Sequence, residues 1–253
     1  PGLDIGIYGC SHSMGVPSVA GPAAVIDQLG QLAHNGIGVW DDGLWVGVID
    51  QGELVREAAP GLRPLCTEQP RATLPAWGTL AGSVDLWVPF WSDFDPVSAA
   101  ERRQAGDEVW STTAYCPGGP GRDTPYWQLD FPLLNYRIAP WLTRAQSLDG
   151  LYYWTLVYWA ETQDPWTLAR TFQNYNGEGM LFYPGADAGV QGPVATLRLK
   201  ALRDGLEDYE YLVLAGKAAP ELVAGIARSW TDWNPDPDKL LAAREALAKL
   251  IVA

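Results

Sequence analysis

The sequence predicts an α/β fold, a (β/α)8 barrel of the TIM type, and three observations predict it. Short apolar, β-branched runs alternate with helical stretches along the chain. Acidic and aromatic residues gather where those runs end, the position at which barrels keep their chemistry. The chain has 253 residues, 47% of them hydrophobic, enough to fill one barrel core.

The elements follow in order. Asp4-Ile5-Gly6-Ile7-Tyr8-Gly9 reads as a strand. Gly21-Pro22 opens a helix with Val25, Ile26, Leu29 and Leu32 at helical spacing, ended by His34-Asn35-Gly36. Ile37 to Trp40 is a second strand, stopping at Asp41-Asp42-Gly43, and residues 52–58 form a helix. Arg63 to Cys66 makes a strand that runs into Thr67-Glu68, and Ser83 to Pro89 makes another. A charged helix over 99–105 precedes a strand from Val109 to Tyr115, which breaks at Cys116-Pro117-Gly118-Gly119-Pro120-Gly121. Asn135 to Leu148 is helical with a bend at Pro140. Leu151 to Tyr158 is an apolar, aromatic strand, and Gly179 to Tyr183 is a further one. A long helix from Val194 to Leu214 carries charge from Arg198 to Glu210 on what reads as a solvated face. Pro237 to Val252 is the last helix, with Asp236 as N-cap and Pro237 at the first helical position.

Composition narrows the function. Lys plus Arg is 17 against 30 Asp plus Glu, a net charge of −13, which repels phosphate backbones and anionic lipids. Nucleic acid and membrane are therefore poor partners, and no apolar run is long enough to span a bilayer. No basic, apolar leader opens the chain at Pro1, so any export signal is already removed or never existed. Three cysteines without close spacing and two histidines call for neither a disulfide framework nor a metal, and no cofactor motif is present. The unusual number is 13 Trp beside 5 Phe. Some of these rings fill the core, but an excess of flat amphipathic rings also suits a cleft that stacks on the C–H face of a sugar.

Residues at the C-terminal ends of the strands are Asp41, Asp42, Glu68, Trp91, Tyr115 and the cluster from Trp154 to Trp159. From about Arg63 onward the chain also carries a series of phrases in order. They are Val84-Asp85-Leu86-Trp87-Val88-Pro89, Trp110 through Pro120, Asp130-Phe131-Pro132 with Arg137 and Trp141, and Asp149 through Trp154. Pro165-Trp166, Gly177-Glu178-Gly179, Tyr183-Pro184-Gly185 and Leu197 through Tyr211 complete them. Together they resemble glycoside hydrolase family 123. The resemblance implies a barrel over residues 1–215, with C-terminal helices at 216–253 packing on it. It implies an exported bacterial protein whose partner is a glycan. It further implies removal of β-linked N-acetylgalactosamine by a retaining mechanism in which the sugar's acetamide oxygen attacks the anomeric carbon. An adjacent Asp-Glu pair then orients the acetamide and protonates the leaving oxygen, the exception to the ordinary two-carboxylate scheme.

The chain departs from that pattern in one place. The pair belongs between regions corresponding to Val39 and Leu54, yet the interval from Trp40 to Glu53 is too short for the two strands and helices expected there. Either a stretch around 40–53 is missing, or this is a shortened, inactive homologue; the open barrel edge that would otherwise result favours a missing stretch. Asp107-Glu108 precedes its strand and reads as a solvated turn. Asp41-Asp42 lacks a Glu. Glu68 is the surviving candidate acid, against the alternative of a loop carboxylate capping an N–H. The catalytic residues are thus unassigned by sequence.

For sugar binding the candidates are Trp154, Tyr158, Trp159, Trp110, Tyr115 and Asp130. Strict alternation would put Trp154 and Tyr158 on one face, where they would either wall a sugar subsite or pack the core. Asp130 and Arg137 could both bind sugar hydroxyls or form an ion pair with each other, and Arg137 reads as structural. Trp87 and Trp141 read as structural. The oligomeric state is not legible in the sequence.

Overall fold

A computed structural model describes residues 4–6, 57, 63–67, 69–70, 79–114, 123–159, 164–172, 174–216 and 219–252. The expectations for Glu68, Tyr115, Asp41-Asp42, the 22–36 helix, the 40–53 interval and the glycine-rich 116–121 segment lie outside these residues. The chain divides into two compact units, Cys10–Pro89 with Asp95–Val109, and Pro1–Gly9 with Phe90–Phe94 and Trp110–Ala253.

In the first of these units, strand β2 (Leu65–Cys66) lies parallel to β3 (Leu86–Trp87), and β3 lies parallel to the start of β4 (Glu108–Thr112). Parallel neighbours need a crossover, and helix α1 (Pro96–Gln104) supplies one between β3 and β4. It starts three residues before the expected 99–105 helix, because Asp95 accepts from the Ser98 amide at 3.2 Å and Pro96 occupies the first turn. Gly106, at φ +98°, turns the chain back into β4. Val84, Trp87, Val88 and Val109 are buried in this unit, and the Trp87 indole donates to Asp107 at 3.0 Å. Asp107 also faces Arg102 at 3.7 Å, and Glu108 pairs with Arg63 at 2.7 Å. The Asp107-Glu108 pair is therefore half-buried and holds structural partners, rather than forming a solvated turn.

In the other unit, the end of β4 pairs in parallel with β5 (Gly150–Tyr152), and β5 with β1 (Asp4–Gly6). Gly150 stands directly against the Trp110 ring, where a Cβ would overlap it. Helix α2 (Leu134–Ala145) makes the β4-to-β5 crossover. It runs through Pro140 as one element, although an internal proline costs roughly 3 kcal/mol. Burial of Ile138, Ala139, Trp141 and Leu142 on either side offsets that cost.

Two small antiparallel pairs follow, β6 (Arg170–Phe172) with β7 (Tyr175–Asn176) and β8 (Phe182–Tyr183) with β9 (Val194–Ala195). Helix α3 (Leu197–Ala215) is capped by Thr196, whose hydroxyl accepts from the Leu199 amide at 3.2 Å. It crosses α2 at Gly205, where an added Cβ would sit 2.5 Å from the Arg137 carbonyl oxygen. Helix α4 (Pro220–Ile226), the β10–β11 hairpin (Ala227–Ser229, Asp232–Trp233) and α5 (Pro237–Val252) complete the unit. The Asp236 carboxylate accepts from the Asp238 amide at 3.0 Å, as its capping position predicts.

The expected solvated face of α3 holds for Lys200, Arg203, Glu207 and Glu210, which are exposed, but not for Arg198 and Asp208. Asp208 is fully buried and accepts from Arg137 at 2.8 and 3.0 Å, Arg244 at 2.7 Å and the Trp141 indole at 3.1 Å. Arg198 is buried too. Helical charge spacing misleads here because the arginines that meet Asp208 come from α2 and α5, distant in sequence. The described strands are parallel in the sheet and joined by helices, which makes the fold α/β.

Candidate functional site

Strand β5 ends at Tyr152, and the chain then leaves the sheet over residues 153–159. The predicted strand through Tyr158 is thus much shorter, and alternation does not set the directions of these side chains. Trp154 and Tyr158 nevertheless come together, ring centroids 4.8 Å apart and tilted by 49°. Both residues are half-buried. Trp159 follows, also half-buried, and its indole donates to the Phe182 carbonyl at 3.1 Å. Trp166 donates to the Pro184 carbonyl at 2.9 Å, so two indoles satisfy alternate carbonyls on the side of β8 away from β9.

Beneath the Trp154–Tyr158 pair lies Glu178, which is fully buried. Its Oε1 accepts from Trp154 Nε1 at 3.0 Å and lies 3.4 Å from the Tyr153 hydroxyl, while Oε2 accepts from Gln128 Nε2. The Tyr153 hydroxyl in turn accepts from the Gly179 amide at 2.8 Å. The backbone is held as firmly. Thr171 donates to the Glu178 carbonyl at 2.8 Å, and Arg198 donates to the carbonyls of Gly177 and Met180 on either side. Gly177 and Gly179 sit at φ +68° and +67°, the left-handed region that glycine enters without cost. At Gly179 a Cβ would also fall 2.7 Å from the Trp154 ring, so this turn has room only for hydrogen.

Burial shapes the ionisation of the phenols below. Desolvation pushes the Tyr153 hydroxyl well above the ordinary tyrosine range, and the charge on Glu178 adds to that. Tyr136 is raised in the same way by burial, with Arg198 opposing. Both phenols therefore stay neutral at any physiological pH.

The other sequence candidates are placed apart from this arrangement in their contacts. Trp110 is buried in the sheet against Gly150. Asp130 is exposed, both carboxylate oxygens accepting from Asn176 Nδ2 at 3.0 and 3.1 Å, and Arg137 serves Asp208 instead. Among the described residues no three His, Cys, Asp or Glu side chains converge as a metal-binding group, and no helix is long and apolar enough to cross a membrane.

Sequence reasoning missed Glu178, Gln128 and Tyr153. A signal was present for the first: a carboxylate between two glycines marks a backbone bent for close approach, which a solvated loop does not require.

Comparison with known proteins matches this region. The family model for the glycoside hydrolase 123 catalytic domain matches residues 70–215. Among solved structures, one is a family 123 glycoside hydrolase from Clostridium perfringens, described in terms of glycolipid glycan hydrolysis. It aligns at 15% identity and a TM-score of 0.46, over 74% of this chain and 34% of that one. This chain thus spans about a third of the length of that relative. No curated protein matches. Since the matched segment covers more than half of the sequence and contains both the Trp154–Tyr158 pair and Glu178, the chain belongs to the glycoside hydrolase 123 catalytic-domain family.

Proposed function

We propose that this chain is the sugar-holding part of a glycoside hydrolase acting on β-linked N-acetylgalactosamine or a related N-acetylhexosamine. Its parallel sheet would belong to a (β/α)8 barrel. The reaction would be the retaining, substrate-assisted one, in which the acetamide oxygen bonds to the anomeric carbon as the glycosidic C–O bond breaks and the leaving oxygen takes a proton, water then opening the cyclic intermediate. The observation that carries the reading is the half-open Trp154–Tyr158 pair within the family-matched segment. Tilted rings at this spacing offer two adjoining π-faces, one for the C–H face of the pyranose and one for an acetamide methyl. Trp159 would border the same subsite, with Trp110, Tyr115 and Asp130 as further candidate contacts. No described residue takes the role of the acid, and Glu68 is the candidate for it.

A second reading has an observation of its own. Asp107-Glu108, the one adjacent Asp-Glu in the sequence, is engaged with Trp87, Arg102 and Arg63. A homologue that binds glycans without cleaving them fits that fact.

One assay separates the two. The 253-residue chain is incubated with p-nitrophenyl N-acetyl-β-galactosaminide while tryptophan fluorescence is followed with free N-acetylgalactosamine. Nitrophenol release supports the hydrolase; quenching without release supports the binding homologue. The absence of both removes each reading.

A further inference from the structure

Glu178 is a fully buried carboxylate that accepts from the Gln128 amide and the Trp154 indole, and Trp154 is itself partly exposed. We infer that Glu178 is the positioning residue of the sugar site: it fixes the Trp154 ring by its indole N–H, and so sets the platform on which the sugar stacks. This rests on the reading of Trp154 and Tyr158 as that platform.

The argument begins with the cost of the arrangement. A carboxylate removed from water is expensive, and a site that served packing alone would do as well with an apolar side chain of the same size. What the carboxylate offers is acceptor capacity. Ionised, it carries two oxygens and no donor, so it can receive the Gln128 amide, the Trp154 indole and the Tyr153 hydroxyl at once. Each of those is a donor at the point of contact. An indole has one N–H, and a ring held only by its flat faces would be free to slide or tip beside Tyr158. A charge-assisted hydrogen bond at 3.0 Å removes that freedom.

The carboxylate is itself immobile. Arg198, from the first turn of α3, holds the carbonyls of Gly177 and Met180, and Thr171 holds that of Glu178. The Gly179 amide is bonded to the Tyr153 hydroxyl. Position therefore passes from the α3 N-terminus through the Gly177–Met180 turn to Glu178, and from Glu178 to the ring. Such rigid support behind a binding group is what reduces the ordering cost of binding.

The test uses three variants of the full chain, with N-acetylgalactosamine binding read by calorimetry and turnover of the aryl galactosaminide read alongside. Glu178→Leu keeps the size and removes the acceptor; the ring is released and affinity falls about tenfold or more, the scale of a lost hydrogen bond to a charged group. Where the chain turns over the glycoside, KM rises by the same factor while kcat changes by less than about threefold, because the leaving-group acid lies elsewhere. Glu178→Gln keeps one acceptor oxygen, and reversal of the Gln128 amide can satisfy the new amide, so affinity returns to within about threefold of the original. Trp154→Phe keeps a ring and removes the N–H, and it should weaken binding as much as Glu178→Leu does. The double variant should be no weaker than either single one, the signature of a shared interaction.

Wild-type affinity in Glu178→Leu, or losses that multiply in the double variant, would overturn the inference. Should Glu178→Leu fail to fold, Trp154→Phe decides alone: unchanged affinity overturns the role of the N–H. Failure of the wild-type chain to bind or cleave any amino sugar is a different result, and it removes the platform reading along with everything built on it.

Discussion

Two carboxylates in the same unit are equally buried and are used differently. Asp208 meets two guanidinium groups and an indole, and these partners come from α2 and α5. The Arg244 guanidinium also lies 3.3 Å over the Tyr211 ring. Glu178 meets an amide, a phenol and an indole. Both accept a tryptophan N–H, but Trp141 is wholly inside the core whereas Trp154 reaches solvent. A buried charge with opposite charges around it ties helices together. A buried carboxylate that accepts from an amide, a phenol and an indole orients those groups, which makes sense where a ring has work to do at the surface.

The comparison can be broken from either side. The largest effect should come from Asp208→Ala, which leaves Arg137 and Arg244 without their carboxylate and should cost about 3 kcal/mol of stability in chemical unfolding. A loss below about 1 kcal/mol would mean that the helices do not depend on it. Next in size is alkaline destabilisation, which belongs to the Glu178 side. Tyr153 and Tyr136 are raised above the unfolded value of 10.0, so the neutral form is favoured on folding. Their contribution is complete below pH 10 and is lost as pH climbs toward the folded values. Above pH 10 each should lower stability by up to about 1.4 kcal/mol per pH unit, and Tyr153→Phe should reduce that slope. Urea titrations between pH 9 and 11 measure it; a flat profile would contradict the burial argument.

Gly205→Ala addresses the Asp208 side again. Its Cβ would meet the Arg137 backbone 2.5 Å away, so α2 and α3 must part, at about 1–2 kcal/mol despite the better helix propensity of alanine. Thr196→Ala should be mildest, at about 1 kcal/mol, since it removes the α3 cap and the 2.9 Å bond to the Leu181 carbonyl. Thermal melting ranks the two.

These residues also show what the sequence could disclose. Asp236-Pro237 and the 237–252 helix are legible because caps and helix starts are local chemistry, whereas the equivalent Asp95-Pro96 start lies outside the expected 99–105 helix. Trp87 and Trp141, which read as structural, are fully buried. Asp208 was not recognised, because a charged residue at helical spacing looks solvated until its partners arrive from elsewhere in the chain. β alternation puts Trp154 and Tyr158 on one face without bringing them into contact; the irregular segment, with Glu178 on the Trp154 indole, is what brings the rings together. Long-range donors such as Gln128 leave no periodic trace.

The central claim, that Trp154 and Tyr158 form a sugar platform distinct from the Asp208 core, is tested most directly by calorimetric titration of N-acetylgalactosamine into Trp154→Ala and Asp208→Asn. The account predicts at least a tenfold loss of affinity in the first, and near-original affinity in the second despite its lower melting temperature. Original affinity in Trp154→Ala would contradict it.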